Sequence, residues 1–75
     1  MQIKSNLYYA QIILPLNLLG TFTYKVPDDL VDFMEVGKRV LVPFGGKKIY
    51  TGIVSEIHQN APETFKTKDI ISVLD

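Results

Sequence analysis

Cysteine is absent from this 75-residue chain, and so is tryptophan. Without cysteine there is no disulfide framework and no thiolate metal site, so the stability of the domain must come from packing. The single histidine, His58, has no second histidine or clustered carboxylate at ligand spacing and reads as a surface loop residue to which no chemistry is assigned. No segment approaches the roughly 20 consecutive apolar residues of a membrane span. The run Ile12-Ile13-Leu14-Pro15-Leu16 is interrupted by Pro15, and the N-terminus lacks a basic region followed by a long apolar one. A cytoplasmic protein with no membrane partner is the expectation.

The usual catalytic signatures are missing as well. Gly45-Gly46-Lys47-Lys48 lacks the spacing of a phosphate loop and the hydroxyl that would hold magnesium. Ser5, Ser55 and Ser72 have no local support as nucleophiles, and one histidine would have to serve all of them. This segment alone is therefore expected to be no enzyme.

What the chain does have is a globular composition: 47% hydrophobic residues, four tyrosines and four phenylalanines, without the low-hydrophobicity, high-charge signature of disorder. Its length supports one domain that buries about 60% of the surface exposed by the unfolded chain. The formal net charge is zero, from eight cations and eight anions. Their order is uneven, because Asp28, Asp29, Asp32 and Glu35 are followed at once by Lys38, Arg39, Lys47 and Lys48. Overall neutrality argues against a protein that coats nucleic acid by charge alone.

Tyr8-Tyr9-Ala10-Gln11-Ile12-Ile13-Leu14 is aromatic and β-branched and predicts a first strand ended by Pro15. Residues 1–7 read as a leader. Phe22-Thr23-Tyr24-Lys25-Val26 alternates, which places Phe22, Tyr24 and Val26 on one face and Thr23 and Lys25 on the other. After Pro27, residues 28–34 suit one or two helical turns with acids at the positive end of the dipole. Arg39-Val40-Leu41-Val42 predicts a third strand closed by Pro43, and Gly45-Gly46 a turn that starts the return strand at Lys47-Lys48. That return, over residues 49–57, carries an internal Gly52, which signals a bulge or a close approach by another backbone or a ligand. Residues 58–67 read as a polar loop, and Ile70-Ile71-Ser72-Val73-Leu74 as a final strand.

About five short strands punctuated by glycine and proline predict an all-β fold, a small, partly open barrel of the OB or SH3-like kind. Aromatics, glycine turns and a few cations are the ingredients for holding single-stranded nucleic acid by stacking and phosphate attraction. By alternation Tyr24 belongs to the core, whereas Phe22 at a strand start and Phe44 beside the glycine turn are the candidate exposed rings.

Five blocks stand in a characteristic order: Leu14-Pro15-Leu16; Thr21-Phe22-Thr23-Tyr24 with Val26-Pro27; Val36-Gly37-Lys38-Arg39-Val40-Leu41-Val42-Pro43-Phe44-Gly45; Thr51-Gly52-Ile53-Val54; and the closing Lys68-Asp69-Ile70-Ile71-Ser72-Val73-Leu74-Asp75. Together they resemble the N-terminal segment of the replication-restart helicases of the PriA (primosomal protein N′) family. The resemblance implies that residues 8–75 are a 3′-terminus DNA-binding domain, the first domain of a longer bacterial ATP-dependent 3′-to-5′ helicase. Such a domain captures the 3′ end of a nascent leading strand at stalled forks and D-loops. Primosome and single-stranded-DNA-binding proteins would be partners of the whole helicase. A winged helix, helicase lobes and zinc-binding cysteines would follow, so ATP, magnesium and zinc belong to those later domains and no cofactor is expected here.

The family's pocket uses an aromatic-acid pair in a Thr-Phe-Asp-Tyr motif, the glycine of Val-Pro-Phe-Gly and a lysine opening the last strand. By position these become Phe22, Gly45 and Lys68, with Thr23 where the acid is expected. A threonine hydroxyl gives a neutral hydrogen bond, roughly half as strong as a charge-assisted one. Lys38, Arg39, Lys47 and Lys48 are candidates for auxiliary phosphate contacts. Two other readings are compatible with the residues alone: an SH3-like protein-interaction module that docks a partner on the acidic stretch 28–35, and an RNA-binding barrel of the translation machinery.

Overall fold

A computed structural model of the chain describes residues 7–16, 19–63 and 66–75. Apart from Leu7, the expected leader lies outside the described residues. Among the described residues there are six strands, β1 (Tyr9–Ile13), β2 (Phe22–Lys25), β3 (Arg39–Phe44), β4 (Lys48–His58), β5 (Lys68–Asp69) and β6 (Ser72–Val73), with a 3₁₀ helix at Asp28–Phe33. They form one sheet in the order β5-β2-β1-β4-β3-β6. All pairings are antiparallel except β2 with β5. The architecture is the curled, OB-like all-β half-barrel that the strand pattern predicts.

Its two edge strands are consecutive in the chain. β5 lies on β2 at one edge, β6 lies on β3 at the other, and Ile70 and Ile71 join them. Ile70 donates its N–H to the Lys25 carbonyl at 3.0 Å, and Ile71 donates to the Leu41 carbonyl at 2.8 Å. The Ile70 side chain is 2% exposed and plugs the gap between the edges. Of the single final strand expected over residues 70–74, only Ser72–Val73 is strand, and a second short strand, Lys68–Asp69, precedes it on the opposite edge. A strand that changed neighbours without breaking could not satisfy backbone groups on both edges.

The core is Ala10, Ile12 and Leu14 from the β1 segment, Tyr24 and Val26, Val40 and Val42, Val54 and Ile70. Alternation accounts for most of this set. On β4 the phase must change, since strict alternation from Val54 would turn Glu56 inward. The pairing Gln11↔Glu56 followed by Ile12↔Val54 leaves Ser55 as an extra residue, and its hydroxyl donates to the Gln11 carbonyl at 3.2 Å. This bulge keeps Glu56 exposed and lets Ile57 pack on the core.

Gly52 is therefore not the bulge. It is the point of close approach, with no ligand needed to explain it. A Cβ at Gly52 would fall 2.9 Å from the Ile13 carbonyl oxygen and from Leu14 Cδ2, and closer still to Ile12 Cγ2. The glycine lets β1 cross β4 tightly. Pro43 does not close β3, which runs on to Phe44. β6 pairs only with Val40 and Leu41, so the missing proline N–H removes no bond from that edge. His58 is the last residue of β4 and half-buried, not a loop residue. Among the described residues no helix is long and apolar enough to cross a membrane.

Gly52→Ala should destabilise the domain by about 2 kcal/mol or more, because backbone as well as side chains must move to admit the methyl group. Urea denaturation measures it; a change below about 0.5 kcal/mol would show that the β1–β4 crossing is not sterically fixed.

Candidate nucleic-acid interface

At one end of the half-barrel three segments meet around an open pocket of about 470 Å³. The start of β2 supplies Phe22, Thr23 and Tyr24, the β3–β4 turn supplies Phe44 and Gly45, and the chain entering β5 supplies Lys66, Thr67 and Lys68. The closing of the edges brings the last segment to the first, with Lys68 paired in register to Tyr24. The four residues Phe22, Thr23, Gly45 and Lys68, far apart in sequence, all line this one space.

Local chemistry fixes the walls. Tyr24 is 4% exposed and its hydroxyl donates to the Pro43 carbonyl at 2.7 Å, which ties β2 to the end of β3 across the pocket. Burial pushes its phenol above the usual value. Phe22 meets Phe44 edge-to-face at 5.0 Å, and Phe44 meets Tyr50 in the same manner at 6.1 Å. Neither Phe22 nor Phe44 is a freely exposed ring. Both are half-buried and lean on the core while bordering the pocket. Gly45 and Gly46 have φ of +63° and +74°, as the tight turn requires, and the space where a Gly45 Cβ would point is open.

Thr23 has a committed proton. Its hydroxyl donates to Gln11 Oε1 at 2.9 Å, while Gln11 Nε2 donates to Thr21 Oγ1 at 3.0 Å. The Thr23 oxygen is thereby left with lone pairs only, the polarity of the carboxylate expected at this position but without its charge.

The cations divide into two groups. Lys38 donates to the Phe33 carbonyl at 2.9 Å and lies 4.0 Å from Glu35, so it caps the 3₁₀ helix. Arg39 holds Asp75 through its guanidinium at 2.7 and 3.1 Å and through its backbone N–H at 2.8 Å. These hydrogen bonds keep the Asp75 carboxyl below its ordinary value and the Arg39 guanidinium above its own. Both residues sit at the beginning of β3, the far end from Gly45, about 20 Å away along an extended strand. The structure therefore does not bring Lys38 or Arg39 to the pocket. Lys47 lies in the turn itself and Lys48 opens β4 beside it, both exposed. Lys66 and Thr67 are pocket residues that the sequence pattern did not single out, and Tyr24, expected only as core, lines the pocket as well. The only sequence signal for the first two is the Lys-Thr-Lys alternation before β5.

A smaller cavity of about 210 Å³ lies between Tyr8, Val26, Val31, Met34 and Ile57. Its lining is mostly apolar and carries no cation, and it sits beside the acidic 3₁₀ helix, so it offers no positive charge to a phosphate. Among the described residues no group of three or more histidines or carboxylates is arranged to hold a metal.

Comparison with known proteins identifies the family of the chain. The sequence model of the 3′DNA-binding domain (3′BD) matches residues 11–75. The chain is also 34% identical over 71 residues to the replication restart protein PriA of Bacillus subtilis (strain 168), covering 89% of this chain and 9% of that protein. The chain belongs to the 3′DNA-binding domain family.

Proposed function

We propose that the pocket between Phe22, Gly45 and Lys68 receives the 3′-terminal nucleotide of a DNA strand, and that residues 8–75 are the first domain of a replication-restart helicase. The observation that carries this reading is the convergence of three separate segments, 21–24, 43–45 and 66–68, on one open space bordered by rings, a bare backbone and cations. Family membership supports it and disfavours the protein-interaction alternative.

In this reading the terminal base lies against Phe22, whose edge-to-face partner Phe44 holds the ring in place; base-on-aromatic stacking contributes about 1–3 kcal/mol. Gly45, having no side chain, allows the base or sugar to approach the turn backbone. Lys68 and Lys66 attract the phosphate on the 5′ side, and Lys47 and Lys48 raise the local cation density without shaping the pocket. Thr23 Oγ1, its proton held by Gln11, is the acceptor for the 3′-hydroxyl proton. A 3′-phosphate offers no such proton and brings negative charge to lone pairs. Selectivity for the strand end follows, with little dependence on the base.

The whole protein in this reading is a bacterial, cytoplasmic, ATP-dependent 3′-to-5′ helicase acting at stalled forks and D-loops. Its ATP, magnesium and zinc sites, and its contacts to primosome and single-stranded-DNA-binding proteins, lie outside this segment.

Single-stranded DNA ending in a 3′-hydroxyl should bind at least about fivefold more tightly than the same strand ending in a 3′-phosphate, the effect of about 1 kcal/mol. Equal affinities in a fluorescence anisotropy titration would end the terminus reading.

A second expectation separates pocket from turn. Gly45→Ala and Gly46→Ala each place a methyl group at positive φ with open space around it, so both should lower the melting temperature similarly. Gly45 lines the pocket and Gly46 does not. DNA affinity should therefore fall about fivefold or more in Gly45→Ala alone; an equal fall in both would reduce Gly45 to a turn residue.

A further inference from the structure

Beyond the end pocket, a second concavity of about 270 Å³ opens on the outer face of the sheet. Its walls are Tyr9, Lys25, Ala61, Pro62, Lys66 and Thr67. Lys66 and Thr67 border both spaces, so the two are separated by the width of one extended chain segment, about 5 Å. That is comparable with the step from one nucleotide to the next in an extended single strand.

The ring in this second space is braced. Tyr9 stacks on His58 at a centroid distance of 6.2 Å with an interplanar angle of 18°. His58 is fixed in turn from both nitrogens: the Asn60 N–H donates to Nδ1 at 3.1 Å, which leaves Nε2–H to donate to Gln11 Oε1 at 2.8 Å. The same Gln11 oxygen accepts from Thr23 of the end pocket. A ring held this way loses little freedom when a base stacks on it. Two cations flank it, Lys25 and Lys66, and neither forms an ion pair among the described residues. Asp69 stands opposite Lys25 in the β2–β5 register and partly offsets its charge, which leaves Lys66 as the stronger phosphate attractor.

We infer that this outer concavity is a second nucleotide subsite, in which Tyr9 stacks the base of the penultimate nucleotide of a single DNA strand while Lys66, between the pockets, holds the intervening phosphate. The inference rests on the proposed function, since it gives the strand its direction. It extends the site from a nucleotide to a short strand. It also gives a role to the Tyr9–His58 stack, which the end pocket does not use.

The test uses the 75-residue chain and three probes with free 3′-hydroxyls, thymidine 5′-monophosphate, dT2 and dT6, followed by NMR titration. Affinity should rise at least fivefold from the monophosphate to dT2, in line with one more stacked base. Tyr9→Leu, which keeps apolar bulk, should remove most of that gain and leave monophosphate affinity within twofold. Lys25→Gln, a surface change that does not threaten folding, should lower dT2 affinity by about twofold. No gain on lengthening, or a gain unchanged in both variants, overturns the subsite. The terminus reading fails separately, if dT6 with a 3′-phosphate binds wild type as well as dT6 with a 3′-hydroxyl; a Tyr9→Leu loss on both forms would still place a base on Tyr9.

Discussion

Lys25 on β2 and Leu41 on β3 lie next to opposite edges of the sheet, and their carbonyls accept hydrogen bonds from neighbouring residues, Ile70 and Ile71. Two consecutive amides thus hold the two edges together, with the Ile70 side chain sealed between them. A chain of this size has little core, and full burial of one isoleucine contributes about 1.5–3 kcal/mol. Much else follows from this closure. It pairs Lys68 with Tyr24, carries Lys66 and Thr67 to the mouth of the half-barrel, and separates the end pocket from the outer concavity. The site is built on the seam of the fold.

Charge is sorted along the same axis. In the sequence an acidic block runs directly into a basic one, but the fold turns that neighbourhood into two ends. Lys38 and Arg39 are engaged near the 3₁₀ helix and Asp75, whereas Lys47, Lys48, Lys66 and Lys68 gather where β3 turns into β4 and β5 begins. A neutral chain can in this way present a positive end, and local field rather than net charge governs how a polyanion approaches. The surface pairs Lys38–Glu35 and Arg39–Asp75 add little stability, but they engage two cations that could otherwise meet DNA.

The strands with clean alternation were legible from residues alone: β1, β2 with Tyr24 inward, and the β3–β4 hairpin with its glycine turn. Three features were not. The bulge at Ser55 has no composition signal, since Ile53-Val54-Ser55-Glu56-Ile57 fits either phase until its partner strand is known. Gly52 signalled a bulge or a close approach by a backbone or a ligand, and only the fold shows that it is a close approach made by Ile12, Ile13 and Leu14. Ile70-Ile71-Ser72-Val73-Leu74 reads as one strand because nothing local records that two different edges compete for its amides. As for the site, Phe22, Thr23, Gly45 and Lys68 came with the family resemblance, and the structure gathers them at one pocket. Lys66 and Thr67 escaped notice because they sit in a polar stretch whose placement depends on the closure at Ile70.

In the proposed reading DNA ends are received at the seam end of the half-barrel and not at Lys38 and Arg39. The most direct measurement is a backbone amide chemical-shift map of the chain as a short 3′-hydroxyl oligonucleotide is added. The largest perturbations are expected at Phe22, Phe44, Gly45 and at Lys66, Thr67 and Lys68, with Lys38 and Arg39 unmoved. Perturbations centred on residues 28–39 would contradict it.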